Sequence, residues 1–456
     1  MPFRRILSTV GLAVLLGATL AACSGREADA PGAAKIRELG LPTGDGDSVQ
    51  VAELALAKCA KVADRTGCYE EILFALVGAD KVRLAMGALH VIGDRDPSVV
   101  ANSHQYTHGI GIAAYTPEKD VGKVFASCTE LYQSGCYHGV IQAYFSSRPS
   151  VDSAVVRALC ADYTHDASNR WLRYQCVHGM GHGLTMFYSR HLIKALEGCD
   201  FLQTGWDRTS CYSGAFMENI VGTTAQQHHA AASHTAAAKV VATEAKAADT
   251  TAGQDHAAMG HDHAAMMAAD EPPFKATDPD DLHYPCSIVG EKYQDACYVM
   301  QTAIILPATG RDYAATAKVC DGAPEPQRAM CYQSMGTNAS GETTGDDARA
   351  IELCSKGSEA YQPWCFYGVV LDRIYAYARV DDGFPFCAQV PGERNKLKCY
   401  EGVGEQAATL NNDLKVRQEF CDKAPEGDYR AACRYGARLP TDRPAALPMR
   451  GEKFRS

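Results

Sequence analysis

No cysteine in this chain stands three residues from another. The C-x-x-C spacing of a zinc ribbon is therefore absent, and so is the C-x-x-C-H of covalent haem attachment. Past the first twenty or so residues, no apolar run approaches the roughly 20 residues of a spanning helix. No basic cluster relieves the net charge of −10, which argues against nucleic acid as a partner. The H-E-x-x-H of zinc proteases, a Gly-rich phosphate loop and a nucleophile–base pair are also missing, so an enzyme is the less favoured reading. Histidine is absent from the whole C-terminal part: all fifteen lie between positions 90 and 283.

What is present begins with an export signal. Arg4 and Arg5 precede an apolar run from Ile6 to Leu20, too short to span and remain, so residues 1–22 read as a signal peptide. The run closes on Leu20-Ala21-Ala22-Cys23, which resembles the lipobox of bacterial lipoproteins. That resemblance implies cleavage before Cys23 and acylation of it, with several chains giving a firm membrane anchor. Ser24, not Asp, follows, and this implies sorting to the outer membrane, facing the periplasm. Residues 23–47 read as a flexible tether, and the Pro- and Arg-rich residues 439–456 as a disordered tail.

The other eighteen cysteines fall in nine pairs: Cys59-Cys68, Cys128-Cys136, Cys160-Cys176, Cys199-Cys211, Cys286-Cys297, Cys320-Cys331, Cys354-Cys365, Cys387-Cys399 and Cys421-Cys433. First members at 286, 320, 354, 387 and 421 step by 33 or 34 residues. The gap from 59 to 128 is two steps, and a unit without cysteines fills it around Asn102–Tyr115. A fixed period near 34 predicts an all-α solenoid of about ten two-helix repeats. One helix ends near the first Cys, and the next opens at the second with phrases such as Cys136-Tyr-His-Gly and Cys365-Phe-Tyr-Gly. A disulfide inside each unit pins the turn, as export to an oxidising compartment would favour. The architecture resembles tetratricopeptide and related helical repeats, without their signature residues. Residues 48–222 form the first block of repeats and 284–438 the second.

Three successive units of the first block carry His-Gly at one register: His108-Gly109, His138-Gly139 and His178-Gly179. His104 and His182 stand four residues from His108 and His178, so each H-x-x-x-H pair shares a helix face and can meet one metal ion. Neighbouring helices pack about 8–10 Å apart. His138, His178 and His182 are thus the best single site, with His104 and His108 forming a second or completing the first. Helix packing and capping are the alternative role for these residues. Glu218 reads first as a solvated helix residue, otherwise as an oxygen ligand or general base.

Between the blocks, residues 223–283 shift to Ala, His, Met, Asp and Thr and read as a disordered insertion. It holds His228, His229, His234, His256, Met259, His261, His263, Met266 and Met267. Thioether favours Cu(I), and imidazole suits Cu(II), zinc or nickel. The phrase His-Ala-Ala-Met-Gly-His-Asp-His-Ala-Ala-Met-Met resembles the Met/His-rich tracts of periplasmic copper-handling proteins. That resemblance implies copper as the ion, with zinc possible and no haem. The expectation is therefore a lipid-anchored envelope protein that captures, buffers or delivers a transition metal. An interaction scaffold is the first alternative, with Tyr361, Trp364, Phe366, Tyr367, Tyr375 and Tyr377 facing an envelope protein partner. A metal-dependent enzyme is the second.

Overall fold

A computed structural model of the chain describes residues 31–44, 46–100, 103–163, 170–229 and 274–451. Among these residues, every regular element is helical. Helix α1 (Pro31–Leu39) precedes the array. The first-half units pair α2 (Ser48–Cys59) with α3 (Arg65–Val77), and α4 (Val82–Arg95) with α6 (Ser103–Ala114) across the single turn α5 (Pro97–Val100). They continue with α7 (Val121–Ala126) and α8 (Gly135–Ser146), α9 (Ser153–Leu159) and α10 (Arg170–Phe187), then α11 (Leu192–Cys199) and α12 (Gly205–His229). The second half holds α13 (Glu291–Tyr298) and α14 (Thr302–Ala308), α15 (Tyr313–Asp321) and α16 (Glu325–Thr343), and α17 (Asp347–Ser355) and α18 (Gln362–Tyr377). It ends with α19 (Gly383–Gln389) and α20 (Glu393–Leu410), then α21 (Leu414–Cys421) and α22 (Asp428–Gly436).

Local chemistry sets where these hairpins start and turn. Asp120, Asp152, Asp312, Asp346 and Asp413 each accept a backbone N–H two or three residues on, capping α7, α9, α15, α17 and α21. Nine disulfides form in the nine pairs given above, with Cα atoms 5.5–5.9 Å apart. Eight join the end of a first helix to the first two turns of the second, while Cys286–Cys297 ties the turns before α13 to the last turn of α13. The number of bridges points to an oxidising compartment. No helix among the described residues is long and apolar enough to cross a membrane.

The second helices stack side by side as the inner layer, and their spacing alternates. A Cβ on Gly111 would lie 2.1 Å from the Cys136 carbonyl oxygen, and one on Gly139 2.1 Å from that of His108. Gly181 and Gly214 meet the Cys211 and His178 carbonyls in the same reciprocal way, as do Gly336 with Gly368, and Gly404 with Gly436. At these crossings only glycine lets the backbones touch, through Cα–H···O contacts. Between α8 and α10, and between α18 and α20, Gly179 and Gly402 meet the side chains of Ile141 and Val370 instead. The true structural period is thus two hairpins: Gly336 and Gly404 stand 68 residues apart. It is written in the sequence as C-x-x-[GS]-x-G in one unit and C-x-x-G in the next.

The array curls until its inner faces meet. Gln133 Nε2 donates to Asp372 at 3.0 Å, Gln175 Nε2 to the Tyr375 hydroxyl at 3.2 Å, and Trp171 lies edge-on to Tyr375 at 5.7 Å. These contacts take four of the second-half aromatics out of the expected partner surface, while Tyr361 and Tyr377 are half-buried. Trp364, Phe366 and Tyr367 are buried, and Tyr375 belongs to the seam between halves.

Three segments read as unstructured contain packed residues. In the tether, α1 forms and buries Ile36, with Leu41 buried just after it. At the end of the insertion, Phe274 stacks on Tyr284 and Asn219 donates to the Ala276 carbonyl. In the tail, Leu439 and Leu447 are buried, while Arg450 pairs with Asp295 and donates to the Pro326 carbonyl. Composition conceals these contacts because each rests on one or two residues, with no periodic pattern.

Candidate metal centre

The glycine crossings decide where the imidazoles meet. Because α6 and α8 touch backbone to backbone, the His108 and His138 rings come within 6.3 Å. The α10–α12 crossing likewise sets Ser213 and Glu218 against His178 and His182. At the concave centre the first and third His units also converge, with His108 5.6 Å from His182. At ordinary helix spacing these two units would stand further apart, and the close glycine crossing of α6 with α8 shortens the distance. Ring centroids of His138 lie 5.7 Å from His104, 4.8 Å from His178 and 5.0 Å from His182. Five imidazoles from three helices therefore form one cluster.

Hydrogen bonds fix which nitrogen of each ring carries its proton. The Gln175 side-chain oxygen can only accept, so His138 donates through Nε2 at 3.1 Å. Its Nδ1 is left buried without a partner among the described residues. Ser213 spends its hydroxyl proton on the Ser210 carbonyl at 2.8 Å, so it accepts from His178 Nδ1 at 2.9 Å. The Glu218 carboxylate accepts from His182 Nδ1 at 3.0 Å. Both remaining nitrogens, Nε2 of His178 and Nε2 of His182, then present lone pairs to each other across 3.4 Å. Two nitrogens bound to one tetrahedral ion at about 2.0–2.1 Å would stand about 3.3–3.4 Å apart. One ligating atom from each of His138, His178 and His182 lies within 4.8 Å of the others. This buried triad can hold a metal ion.

A second set, His108, His182 and Glu218, meets the same criterion. Glu218 is 6 % exposed, so the reading of it as a solvated residue is corrected. His104 donates through Nδ1 to the Tyr132 carbonyl at 3.0 Å. That carbonyl is presented by a turn in which Tyr132, Gln133 and Ser134 are all left-handed, a conformation that costs roughly 1–2 kcal/mol per non-glycine residue.

Burial keeps the cluster neutral. It pushes His138 and His178 well below the ordinary imidazole range, with neighbouring imidazoles adding to the effect. His108 and His182 are lowered to about 3, again chiefly by burial. His104 is lowered as well, its bond to Tyr132 opposing the shift. Burial raises Glu218, against the pull of the Arg190 guanidinium. Neutral imidazole is the form that binds metal.

Gln175 and Ser213 were not singled out in the sequence, and Tyr375 was read there as part of a partner surface, not as a support of the cluster. Ser213 had a legible signal, since it occupies the His register in Cys211-Tyr-Ser-Gly. Gln175 and Tyr375 meet only through folding, and no pattern announces them. Helix α12 includes His228 and His229, whose side chains lie outside what is described. His234, His256, Met259, His261, His263, Met266 and Met267 also fall outside the described residues, as does Cys23. Comparison with protein-family models, curated proteins and solved structures finds no match to this chain.

Proposed function

We propose that this protein is an exported, lipid-anchored envelope protein that binds a transition metal for capture, buffering or delivery. The observation that carries the reading is the pair of facing lone pairs on His178 and His182, 3.4 Å apart, with the His138 ring 4.8 Å and 5.0 Å from theirs and its Nδ1 unpartnered. Two acceptors so placed repel each other unless a cation lies between them. Each ring is backed by a second partner (Gln175, Ser213 or Glu218), the arrangement that orients imidazole ligands on a metal. Copper is favoured over zinc because the insertion alternates imidazole with thioether at Met259, Met266 and Met267. In this reading the insertion collects the ion, the folded cluster holds it tightly, and acylated Cys23 keeps both at the membrane.

The test is metal content of the mature chain from Cys23, after copper or zinc loading and dialysis. The expected result is stoichiometric metal that survives deletion of residues 230–273 and is lost when His138, His178 and His182 become Ala. No retained metal in the intact chain would sink the reading.

A further inference from the structure

Two ligand sets that share one residue cannot act independently. His138, His178 and His182 are 1 %, 4 % and 1 % exposed, whereas the set of His108, His182 and Glu218 contains a partly exposed member, His108. The second set also reaches the solvated edge of the cluster through Arg190. The guanidinium of Arg190 lies 3.6 Å from Glu218 Oε1 while its side chain is 41 % exposed. Ser189 and Arg190 are both left-handed, in a tight turn closed by the Arg190 N–H on the Thr185 carbonyl at 2.7 Å. Unlike its neighbours, His108 has no hydrogen-bond partner among the described residues, so no second group holds its ring in one orientation.

We infer that His108, His182 and Glu218 form an entry station through which a divalent transition ion passes to and from the buried three-imidazole set. The inference rests on the proposed metal site and adds a route to it. His182 belongs to both sets: Glu218 faces its Nδ1 and His178 its Nε2. In the entry set Nδ1 therefore holds the ion, with the ring proton on Nε2. As His138 and His178 replace His108 and Glu218, the ion passes to Nε2 and the proton returns to Nδ1. The ion is never released bare into the interior, where an unpaired charge is costly. One carboxylate beside two imidazoles suits a dication such as Zn2+ or Cu2+ and gives Cu(I) no soft ligand. Arg190 covers the carboxylate when no ion is there. It must swing aside for an arriving cation, which its exposed side chain can do. Once the ion has moved on, Glu218 resumes its bond to His182 Nδ1–H.

Cobalt(II) uptake by the full mature chain tests the route, because its visible bands report tetrahedral coordination and distinguish an all-nitrogen set from one with oxygen. Stopped-flow loading, and release to excess chelator, are followed in wild type, His108→Ala and Glu218→Gln, whose amide oxygen still accepts from His182. Both variants are expected to load and release more slowly, on the order of tenfold, with affinity changed much less. His178→Ala should retain a weak site with an oxygen-containing spectrum, abolished by adding His108→Ala. Wild-type rates in His108→Ala would overturn the inference and leave the tight site standing. Lower affinity through faster release with unchanged loading would make His108 an ordinary ligand and also overturn it. A wild-type chain that takes up no cobalt, zinc or copper would remove the site itself, which is a separate outcome.

Discussion

Gln175 and Tyr375 stand 200 residues apart in the chain and share a hydrogen bond, the Gln175 amide donating to the Tyr375 hydroxyl at 3.2 Å. The same Gln175 accepts from His138 Nε2 at 3.1 Å, so a group of the histidine-free half helps to hold an imidazole of the other. Gln175→Ala should cost about 10–100-fold in metal affinity, because nothing then selects the His138 tautomer that leaves Nδ1 bare. Tyr375→Phe should cost less, about the 1 kcal/mol of one neutral hydrogen bond. Competition with a chromophoric chelator measures both. Wild-type affinity in Gln175→Ala would contradict the role given to it.

The glycine crossings predict a sharp contrast between two alanine substitutions. Gly139→Ala places a Cβ 2.1 Å from the His108 carbonyl, backbone against backbone, while a Cβ on Gly205 meets nothing within 4 Å. The first should destabilise by about 3 kcal/mol or more, because α8 cannot move without displacing its disulfide-pinned hairpin and α6 is packed against α3 and α4 on its other side. The second should stay within about 1 kcal/mol of wild type. Urea midpoints decide the matter, and equal midpoints would refute the close crossing.

Acid should weaken the fold early. His108 and His182 titrate at about 3 in the folded chain, against an ordinary 6.5, and burial is the main cause. With the folded value below the unfolded one, the unfolded chain takes up these protons first. The stability is therefore fully present above pH 6.5 and is lost as pH falls towards 3. Urea midpoints of the metal-free protein should drop between pH 7 and pH 5, and a bound ion should delay that drop. A flat midpoint across this interval would show that these rings are not buried as neutral groups.

Truncation after Arg438 should also be felt. It removes the buried Leu439 and Leu447 together with the Arg450–Asp295 pair. Each buried leucine contributes roughly 1.5–3 kcal/mol, so the loss should reach a few kcal/mol. Thermal midpoints of the two chains test it, and coincident curves would mean that the tail does not clasp the array in solution.

The helical repeats and the pairing of cysteines were legible because both depend on spacing, which a sequence displays directly. The grouping of His138, His178 and His182 was legible for the same reason, since equivalent register positions fall on one face. The buried role of Glu218 was not, because its environment is set by α10, a different element. Nor was the convergence of His108 with His182, which depends on how closely Gly111 and Gly139 let α6 and α8 approach. The sequence signal for that approach is His108-Gly-Ile-Gly111 against Cys136-Tyr-His-Gly139, repeated for α10 and α12 as Cys176-Val-His-Gly-Met-Gly against Cys211-Tyr-Ser-Gly. A period of one unit hides it. The seam between halves left no local trace, being made by single residues such as Gln133 and Asp372.

The alternate crossings give the array a parity. Excising one hairpin would set two helices of the same kind against each other, and the carbonyl of one would then face a side chain where it now meets a bare Cα. Excising two neighbouring hairpins would restore the match. Insertions, losses and engineered shortening of this chain should thus be tolerated in even numbers of hairpins and rejected in odd ones, whatever each hairpin's own stability.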